Sequence, residues 1–255
     1  MRKCNWNVLI VLVFILYVNN DTCFSQTSKD TLYVLFVGNS FTYSNDLPQM
    51  VSMISDSAHI NLVAKMSVGP GVKISDHWRG TGGLKTKEII KKEKFDIVIL
   101  QGQSMAPMSH PDSFIVYRKL FCDYVKENGA EPFIFSSWAP QKLYNYQEEL
   151  TSAYSTLSRE INTDVLPIGP AWNLAHKLKP RIELFNSDGR HPSVLGTFLT
   201  ACVITKTLTG ELPENLPTYF TMNKFKGESG ELVYLSISDI NFCREIANQI
   251  VSNKN

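Results

Sequence analysis

Two kinds of hydrophobic pattern alternate along the chain. Short runs rich in Val, Ile, Leu and Phe have the length of buried strands, and longer stretches with apolar residues every three or four positions have the periodicity of helices. This alternation predicts one α/β domain, in which a parallel sheet of about five strands is covered by helices on both faces. The predicted strands are Leu32–Val37, Ile60–Met66, Phe95–Leu100, Pro132–Ser136 and Asp164–Ile168.

The predicted helices lie between these strands. Asp46-Leu47-Pro48 has the composition of a helix cap and first turn, and Gly129 is typical of a helix end. Within one helix, apolar residues repeat at helical spacing and are predicted to face the core: Phe114, Tyr117, Leu120 and Phe121. The predicted helices span residues 46–58, 84–94, 112–128, 147–161 and 238–252, with one more opening at Pro192-Ser193.

Two stretches fit this pattern poorly. The loop Ser137–Tyr146 is long for a strand-to-helix connection, and long loops of α/β domains gather at the carboxyl edge of the sheet, so we expect it to line a cleft. The stretch Gly210–Gly230 is irregular and is predicted to be a surface excursion, followed by a possible short strand at Glu231–Ile237.

The N-terminus has the pattern of a secretory signal peptide. Basic residues precede the apolar run Val8–Val18, and small residues near Ser25-Gln26 suit cleavage. Residues 1–25 are therefore predicted to be a signal peptide, residues 26–255 a single domain, and the protein to be exported, either periplasmic or extracellular. An uncleaved anchor is the less favoured alternative, because the run is short for a membrane span, and a lipoprotein signal at Cys23 is weaker still.

Charge and cysteine content argue against a nucleic-acid-binding protein, a membrane-surface protein and a zinc protein. The net charge of +1 gives no reason to expect nucleic acid or an anionic membrane surface as a partner. After the signal peptide, three cysteines remain, an odd number without the spacing of a zinc site, although one pair could still form a disulfide: Cys122, Cys202 and Cys243. We expect no metal and no cofactor.

Candidate chemistry lies at two distant positions. Asp188 stands three residues before His191 on a turn that contains Gly189, and Ser40 follows the first predicted strand. A serine nucleophile needs a base, and the base needs a third group that fixes its tautomer, so these residues suit a Ser-His-Asp triad. Each has an ordinary alternative as a cap, turn or surface residue, and their combination favours the triad.

Gly38-Asn39-Ser40 resembles the first block of the SGNH (GDSL-like) hydrolases, and Asp188-Gly189-Arg190-His191 resembles their last, Asp-x-x-His block. The resemblance covers residues 32–208 and implies a flavodoxin-like three-layer sandwich with a catalytic Ser40, His191 and Asp188. The Gly-x-Ser-x-Gly motif of the α/β-hydrolases is absent from the sequence.

The same resemblance implies an oxyanion hole built from the Ser40 N–H, a glycine N–H and a side-chain amide. Gly71 is the preferred glycine, with Gly69 as the alternative. The family's Gly-x-Asn-Asp block is replaced by Gln101-Gly102-Gln103, so either glutamine is a candidate donor. A Gln-Gly pair at this point is similar to the sialate O-acetylesterase-like carbohydrate esterases.

These observations predict an exported serine esterase that removes small acyl groups, above all acetyl, from carbohydrate or another small ester. The aromatic loop residue Trp138 is a candidate for stacking on a sugar, and His77 either contacts substrate or packs beside Trp78. A lipase or lysophospholipase and a non-catalytic glycan-binding protein are the alternatives, and an acyltransferase uses the same triad. A histidine base predicts activity that falls as the imidazole is protonated.

Overall fold

The computed structural model describes residues 31–223 and 230–252. Its centre is a parallel five-stranded sheet in the order β2-β1-β3-β4-β5, with a separate antiparallel hairpin β6-β7. The predicted α/β fold with a five-stranded parallel sheet is confirmed, and the strand order is that of flavodoxin-like proteins. The strands are β1 Thr31–Gly38, β2 Asn61–Val68, β3 Ile97–Leu100, β4 Glu131–Phe135, β5 Val165–Leu166, β6 Tyr219–Met222 and β7 Glu231–Tyr234.

Helices cover both faces of this sheet and divide the core in two. One half contains buried residues of α2, α8, α9 and α10, and the other contains those of α3, α4, α6 and α7. The helices are α1 Ser40–Tyr43, α2 Leu47–Ser57, α3 Ile74–Arg79, α4 Thr86–Lys92, α5 Ala106–Ser109, α6 Pro111–Glu127, α7 Gln147–Ile161, α8 Ile168–Leu178, α9 Val194–Thr209 and α10 Ile237–Ser252.

The central strands are apolar on both sides because both faces are covered. Along β1, Val34 and Phe36 belong to one half of the core, whereas Leu35 and Val37 belong to the other. Successive side chains of a strand point to opposite faces, so a run without polar alternation is what a doubly covered strand requires. This explains why the short apolar runs located the strands correctly.

The helix α2 begins at Leu47 as expected, but the prediction that the Asp46 side chain caps it is wrong. Asp46 has φ of +49° and makes no capping hydrogen bond with its side chain. Its carboxylate instead accepts hydrogen bonds from the backbone N–H and the side-chain amide of Asn223, at 3.0 and 3.1 Å. Asp46 thus ties the start of α2 to the end of β6.

The fifth predicted strand is shorter than expected, because Pro167 follows it. Proline has no N–H to offer to a sheet, so β5 ends at Leu166 and Ile168 begins α8. The stretch predicted to be a surface excursion contains β6, whose Phe220 is buried in the core. That prediction is wrong for Phe220, because its ring packs against Phe198 of α9.

The buried face of α6 also differs from the expectation. Phe114 and Phe121 are buried, but Leu120 is 37% exposed and Arg118 is completely buried in its place. Positions 114, 118, 121 and 125 form the inner face at helical spacing, so an arginine occupies a core position.

The described thiols and helices bear on two further expectations. Cys122, Cys202 and Cys243 are free and buried, and burial raises the pKa of each thiol. Within residues 31–223 and 230–252, no helix combines the length and apolar character needed to cross a bilayer. The predicted signal peptide, residues 1–25, lies outside the described residues.

Candidate active site

The site lies where the strand order of the sheet reverses. β1 is paired with β2 on one side and with β3 on the other, and the chain leaves β1 and β3 in the same direction because all three strands are parallel. Ser40 follows the end of β1, and Gln101-Gly102-Gln103 follows the end of β3. In doubly wound sheets this reversal opens a crevice at the carboxyl ends of the strands.

Buried hydrogen bonds hold the turn that carries Ser40. The Asn39 N–H donates to Oε1 of Gln101 at 2.8 Å, and the Thr42 hydroxyl donates to the same oxygen at 3.2 Å. The Asn39 side chain accepts from the Phe41 N–H and donates to the Val72 carbonyl. Gly38 has no room for a side chain, because a Cβ there would collide with Thr42 and Gln101.

The loop that carries Asp188 and His191 folds back on itself. Oδ1 of Asp188 accepts the backbone N–H groups of Arg190 and His191 at 2.8 and 2.9 Å. Gly189 has φ of +66°, a conformation that favours glycine, and the Asn186 N–H donates to the His191 carbonyl. Short-range hydrogen bonds therefore fix the relative positions of the carboxylate and the imidazole.

The structure brings Ser40, His191 and Asp188 into one hydrogen-bonded chain. Nε2 of His191 lies 2.8 Å from Oγ of Ser40, and Nδ1 lies 2.5 Å from Oδ2 of Asp188. An ionised carboxylate only accepts hydrogen bonds, so the proton belongs on Nδ1 and the Nε2 lone pair faces the serine hydroxyl. This geometry allows His191 to take a proton from Ser40.

Asp188 is held in its charged form. Its partial burial acts to raise its pKa, but hydrogen bonds from the His191 side chain and from two backbone N–H groups outweigh burial and lower the pKa to about 2. The Asp188 and His191 side chains are 46% and 36% exposed, so solvent reaches the hydrogen bond between them.

Trp138 supports the site from behind and does not line the cavity. The side chain is buried and its ring stacks on Trp172 and on Phe41, with centroid distances of 3.9 and 4.8 Å. Its indole N–H donates to the Arg190 carbonyl at 3.0 Å. The prediction that Trp138 stacks on a sugar is contradicted by this burial, because no face of the ring is open.

His77 is likewise a buried structural residue. Its Nε2 lies 3.0 Å from the Gly38 carbonyl and its Nδ1 lies 2.7 Å from the Thr86 hydroxyl. Burial lowers the pKa of His77, which favours the neutral ring. The predicted alternative that His77 contacts substrate is contradicted, because the ring is 1% exposed and lies beneath the end of β1.

The candidate oxyanion donors divide into two groups. Gly71 and Gln103 line the cavity in front of Ser40, and the Gln103 amide lies 3.4 Å from the Gly71 carbonyl. Gln101 is 1% exposed, its Oε1 accepts from Asn39 and Thr42, and its Nε2 donates to the Gly102 carbonyl. Gly69 packs against Val72. Position therefore favours Gly71 and Gln103, whereas Gln101 supports the nucleophile turn.

The cavity in front of Ser40 has a volume of about 360 Å³. Within the described residues, no group of three or more His, Cys, Asp or Glu side chains is placed to hold a metal ion. The cavity in front of Ser40 is lined by the Ser40 and His191 side chains together with other polar and apolar residues. Among these are Asn39, Gly71, Gln103, Met105, Ala106, Ser109, Pro140, Leu143 and Arg190.

Sequence reasoning missed two supporting residues. Phe41 lies edge-on to the His191 ring at 5.5 Å and joins it to the Trp138 stack. Asn45, with φ of +52°, donates to the Pro192 carbonyl and the Thr197 hydroxyl. Phe41 directly follows the candidate nucleophile, which was a signal for its role, but the contacts of Asn45 span about 150 residues and have no local signal.

Solved structures share this architecture. A protein from Slackia heliotrinireducens described as a candidate SGNH hydrolase aligns with a TM-score of 0.59 at 22% identity, over 70% of this chain and 99% of its own. A DUF4886 family protein from Bacteroides uniformis aligns with a TM-score of 0.71 at 16% identity, over 88% and 95%. The lipase/acylhydrolase from Enterococcus faecalis aligns with a TM-score of 0.54 at 15% identity, over 73% of this chain and 100% of its own.

These likenesses confirm the SGNH-hydrolase type of fold for the chain. No family model and no curated protein matches it. The resemblance to sialate O-acetylesterase-like enzymes stays a prediction.

Proposed function

We propose that this protein is an exported serine esterase that removes small acyl groups, chiefly acetyl, from a carbohydrate through an acyl-enzyme. The observation that carries the proposal is the hydrogen-bonded chain from Ser40 Oγ through His191 to Asp188, which opens on a cavity of about 360 Å³.

In this reaction, His191 takes the Ser40 proton at Nε2 while Oγ attacks the ester carbonyl. The resulting imidazolium is stabilised by the Asp188 carboxylate and gives the proton to the leaving alcohol, which departs as the acyl-enzyme forms. A water molecule then attacks the acyl-enzyme, with His191 again as the base, and Ser40 is regenerated with release of the acid. Every proton transfer passes through Nε2 of His191: to and from Ser40 across the 2.8 Å contact, to the leaving alcohol, and from the attacking water.

The tetrahedral oxyanion requires donors that already point at it. The positions of Gly71 and Gln103 on the cavity wall support them as donors, together with the Ser40 N–H. Each such donor is worth about 3 kcal/mol of transition-state stabilisation in comparable acyl-transfer sites. The Gln103 amide has two N–H groups, so one can donate to the oxyanion while the other stays on the Gly71 carbonyl.

The small size of the cavity and the polar groups on part of its wall support the substrate class. The cavity is at the small end of the range for ligand sites, and Asn39, Gln103 and Ser109 bring polar groups to its wall. The carbohydrate part rests on this polarity, on the Gln101-Gly102 pair and on the export signal, since Trp138 is not available for stacking. The export itself rests on the sequence of residues 1–25.

Hydrolysis of p-nitrophenyl acetate, butyrate and octanoate by residues 26–255 tests the reaction, with Ser40→Ala as the control. We expect acetate to be the best substrate, rates that fall as the acyl chain grows, and loss of at least about 1,000-fold in kcat for the variant. Equal rates for wild type and variant would exclude Ser40 as the nucleophile.

One observation favours a second candidate, a lipase-type esterase. Met105 and Leu143 are among the cavity-lining residues, and Leu143 is 39% exposed, so an apolar chain has a surface on which to lie. A preference for octanoate over acetate in the same series would establish this alternative and reject the acetylesterase proposal.

A further inference from the structure

A second cavity, of about 180 Å³, adjoins the catalytic cavity. The two share Gln103 and Ala106, so a molecule whose ester lies at Ser40 can extend past Gln103 into the second cavity. The side chains that give this second cavity its chemistry are mostly cationic or polar: Arg118, Lys73, Arg79, His110, Ser113 and Gln103.

Arg118 is the unusual member of this group. It is completely buried on α6, its Nη1 donates to the Phe114 carbonyl at 3.1 Å, and the Tyr154 side chain lies beside the guanidinium. Its Nε and Nη2 have no hydrogen-bond partner. The guanidinium lies against the ring of Phe114 at 4.1 Å, and burial lowers the pKa of Arg118.

A buried guanidinium without a carboxylate is costly, because a desolvated cation needs an anion and filled hydrogen bonds. Among the described residues that line the second cavity, none is acidic. Asp76 lies on α3, next to Ser75 of the lining, but its carboxylate accepts the Lys73 backbone N–H at 2.8 Å. The Arg79 guanidinium is engaged with the Tyr117 hydroxyl, and Lys73 is exposed at the rim.

The position of Arg118 ties it to the catalytic edge. A Cβ on Gly102 would lie 2.6 Å from Nη2 of Arg118, so the guanidinium touches the backbone between Gln101 and Gln103. Gln101 supports the nucleophile turn and Gln103 faces the catalytic cavity. The unpaired cation therefore sits directly behind the loop that joins the two cavities.

We propose that the second cavity binds a carboxylate of the ester substrate, so that the enzyme selects acylated acidic sugars over neutral ones. Two unfilled N–H groups of a planar guanidinium suit a carboxylate, which accepts two hydrogen bonds side by side. This inference rests on the proposed esterase function for the identity of the bound molecule, whereas the binding of the carboxylate itself does not depend on catalysis.

Calorimetric titration of the Ser40→Ala protein with D-glucuronate tests the binding, with D-glucose as the neutral match and inorganic sulfate as a free anion. We expect glucuronate to bind at least tenfold more tightly than either. Equal affinity for glucuronate and glucose would overturn the proposal. Sulfate binding as tight as glucuronate binding would overturn it too, because the cavity would then take a free ion.

Variants locate the binding in the second cavity. In the Ser40→Ala background, Arg118→Met should abolish the preference for glucuronate, and Lys73→Met at the exposed rim should weaken glucuronate binding about threefold. Lys119→Met is the matched control, because Lys119 is exposed on the same helix and pairs with Asp123, and it should change nothing. If Arg118→Met does not fold, unchanged binding in Lys73→Met still contradicts the proposal.

Turnover distinguishes this inference from the proposed function. With Ser40 intact, we expect kcat/KM for acetylated methyl glucuronide to exceed that for acetylated methyl glucoside at least tenfold. Equal values would overturn the inference and leave the esterase in place. Absence of hydrolysis of either ester, or of p-nitrophenyl acetate, would reject the proposed function, and the titration would then decide on the carboxylate site alone.

Discussion

The turn that carries Ser40 and the loop that carries Asp188 and His191 meet at one cavity but are held in different ways. The serine turn is anchored by buried side chains of other segments, above all Gln101. The acid-base loop is largely exposed and is held mainly by hydrogen bonds within itself. Outside hydrogen bonds come from Trp138, from the Gln141 N–H and from Asn45. Changes beneath the serine turn should therefore cost stability, whereas changes in the loop should cost catalysis.

The largest effect is expected for His191→Ala. Loss of the base should lower kcat on p-nitrophenyl acetate by about 10,000-fold or more, and the melting temperature should change little because the ring is partly exposed. Adding Ser40→Ala should lower kcat no further, since the two residues act as one unit. A single variant that keeps a tenth of the wild-type kcat would show that His191 is not the base.

Asp188→Asn should lower kcat by about 1,000- to 10,000-fold, because an amide no longer fixes the proton on Nδ1 of His191. The wild-type pH profile sharpens this point. The pKa of Asp188 is lowered to about 2, so its carboxylate stays charged throughout the working range and adds no acid limb of its own to the profile. A second ionisation on the acid side of the kcat profile would contradict this assignment.

Variants of Gln101 and Gln103 distinguish a residue that stabilises the serine turn from one that acts in catalysis. Gln103→Ala should lower kcat by about 100-fold without loss of stability, since its amide faces the cavity. Gln101→Ala should leave the buried Asn39 N–H without an acceptor and lower the free energy of unfolding by about 1–3 kcal/mol. Urea denaturation and kcat measured on both variants check this, and the reverse pattern would exchange their roles.

Trp138→Phe should have a smaller effect. The phenyl ring keeps the stack with Trp172 but loses the N–H that holds the Arg190 carbonyl, worth about 1 kcal/mol. We expect kcat to fall a few-fold, with KM for p-nitrophenyl acetate unchanged because the ring does not line the cavity. A rise in KM with constant kcat would instead indicate substrate contact.

The smallest effect concerns His77 and pH. Burial lowers the pKa of His77 below the ordinary 6.5, so the unfolded chain binds a proton more readily than the folded one. Stability from the neutral ring is present above pH 6.5 and is lost as pH falls from there towards the folded pKa. Urea denaturation should show a larger loss on acidification in wild type than in His77→Gln, and equal losses would exclude this contribution.

The sequence predicted the sheet, and it singled out Ser40, His191 and Asp188, which the structure brings together, because both depend on local pattern. Apolar runs such as Val34–Val37 suit strands buried on both faces, and Asp188 and His191 lie on one short turn. Ser40 was placed by its position after β1. The end of β5 was also readable in principle, since Pro167 cannot continue a strand.

What the sequence could not predict depends on distant contacts. Burial of Trp138 depends on Phe41 and Trp172, and the role of Gln101 depends on the turn that follows another strand. Asp46 was predicted to cap a helix, but its carboxylate accepts a hydrogen bond from the N–H of Asn223, about 180 residues away. The burial of Arg118 was not predicted either, because the apolar pattern placed Tyr117 and Leu120 on the inner face of α6.

Covalent labelling shows whether Ser40 is an activated nucleophile. A fluorophosphonate reacts with a serine only when a base activates it and the cavity admits the phosphoryl group. We predict one adduct per chain of residues 26–255, located by peptide mass spectrometry on Ser40, and strongly slowed labelling in His191→Ala. Labelling of another residue, or an unmodified Ser40 in folded wild-type protein, would show that Ser40 is not the nucleophile.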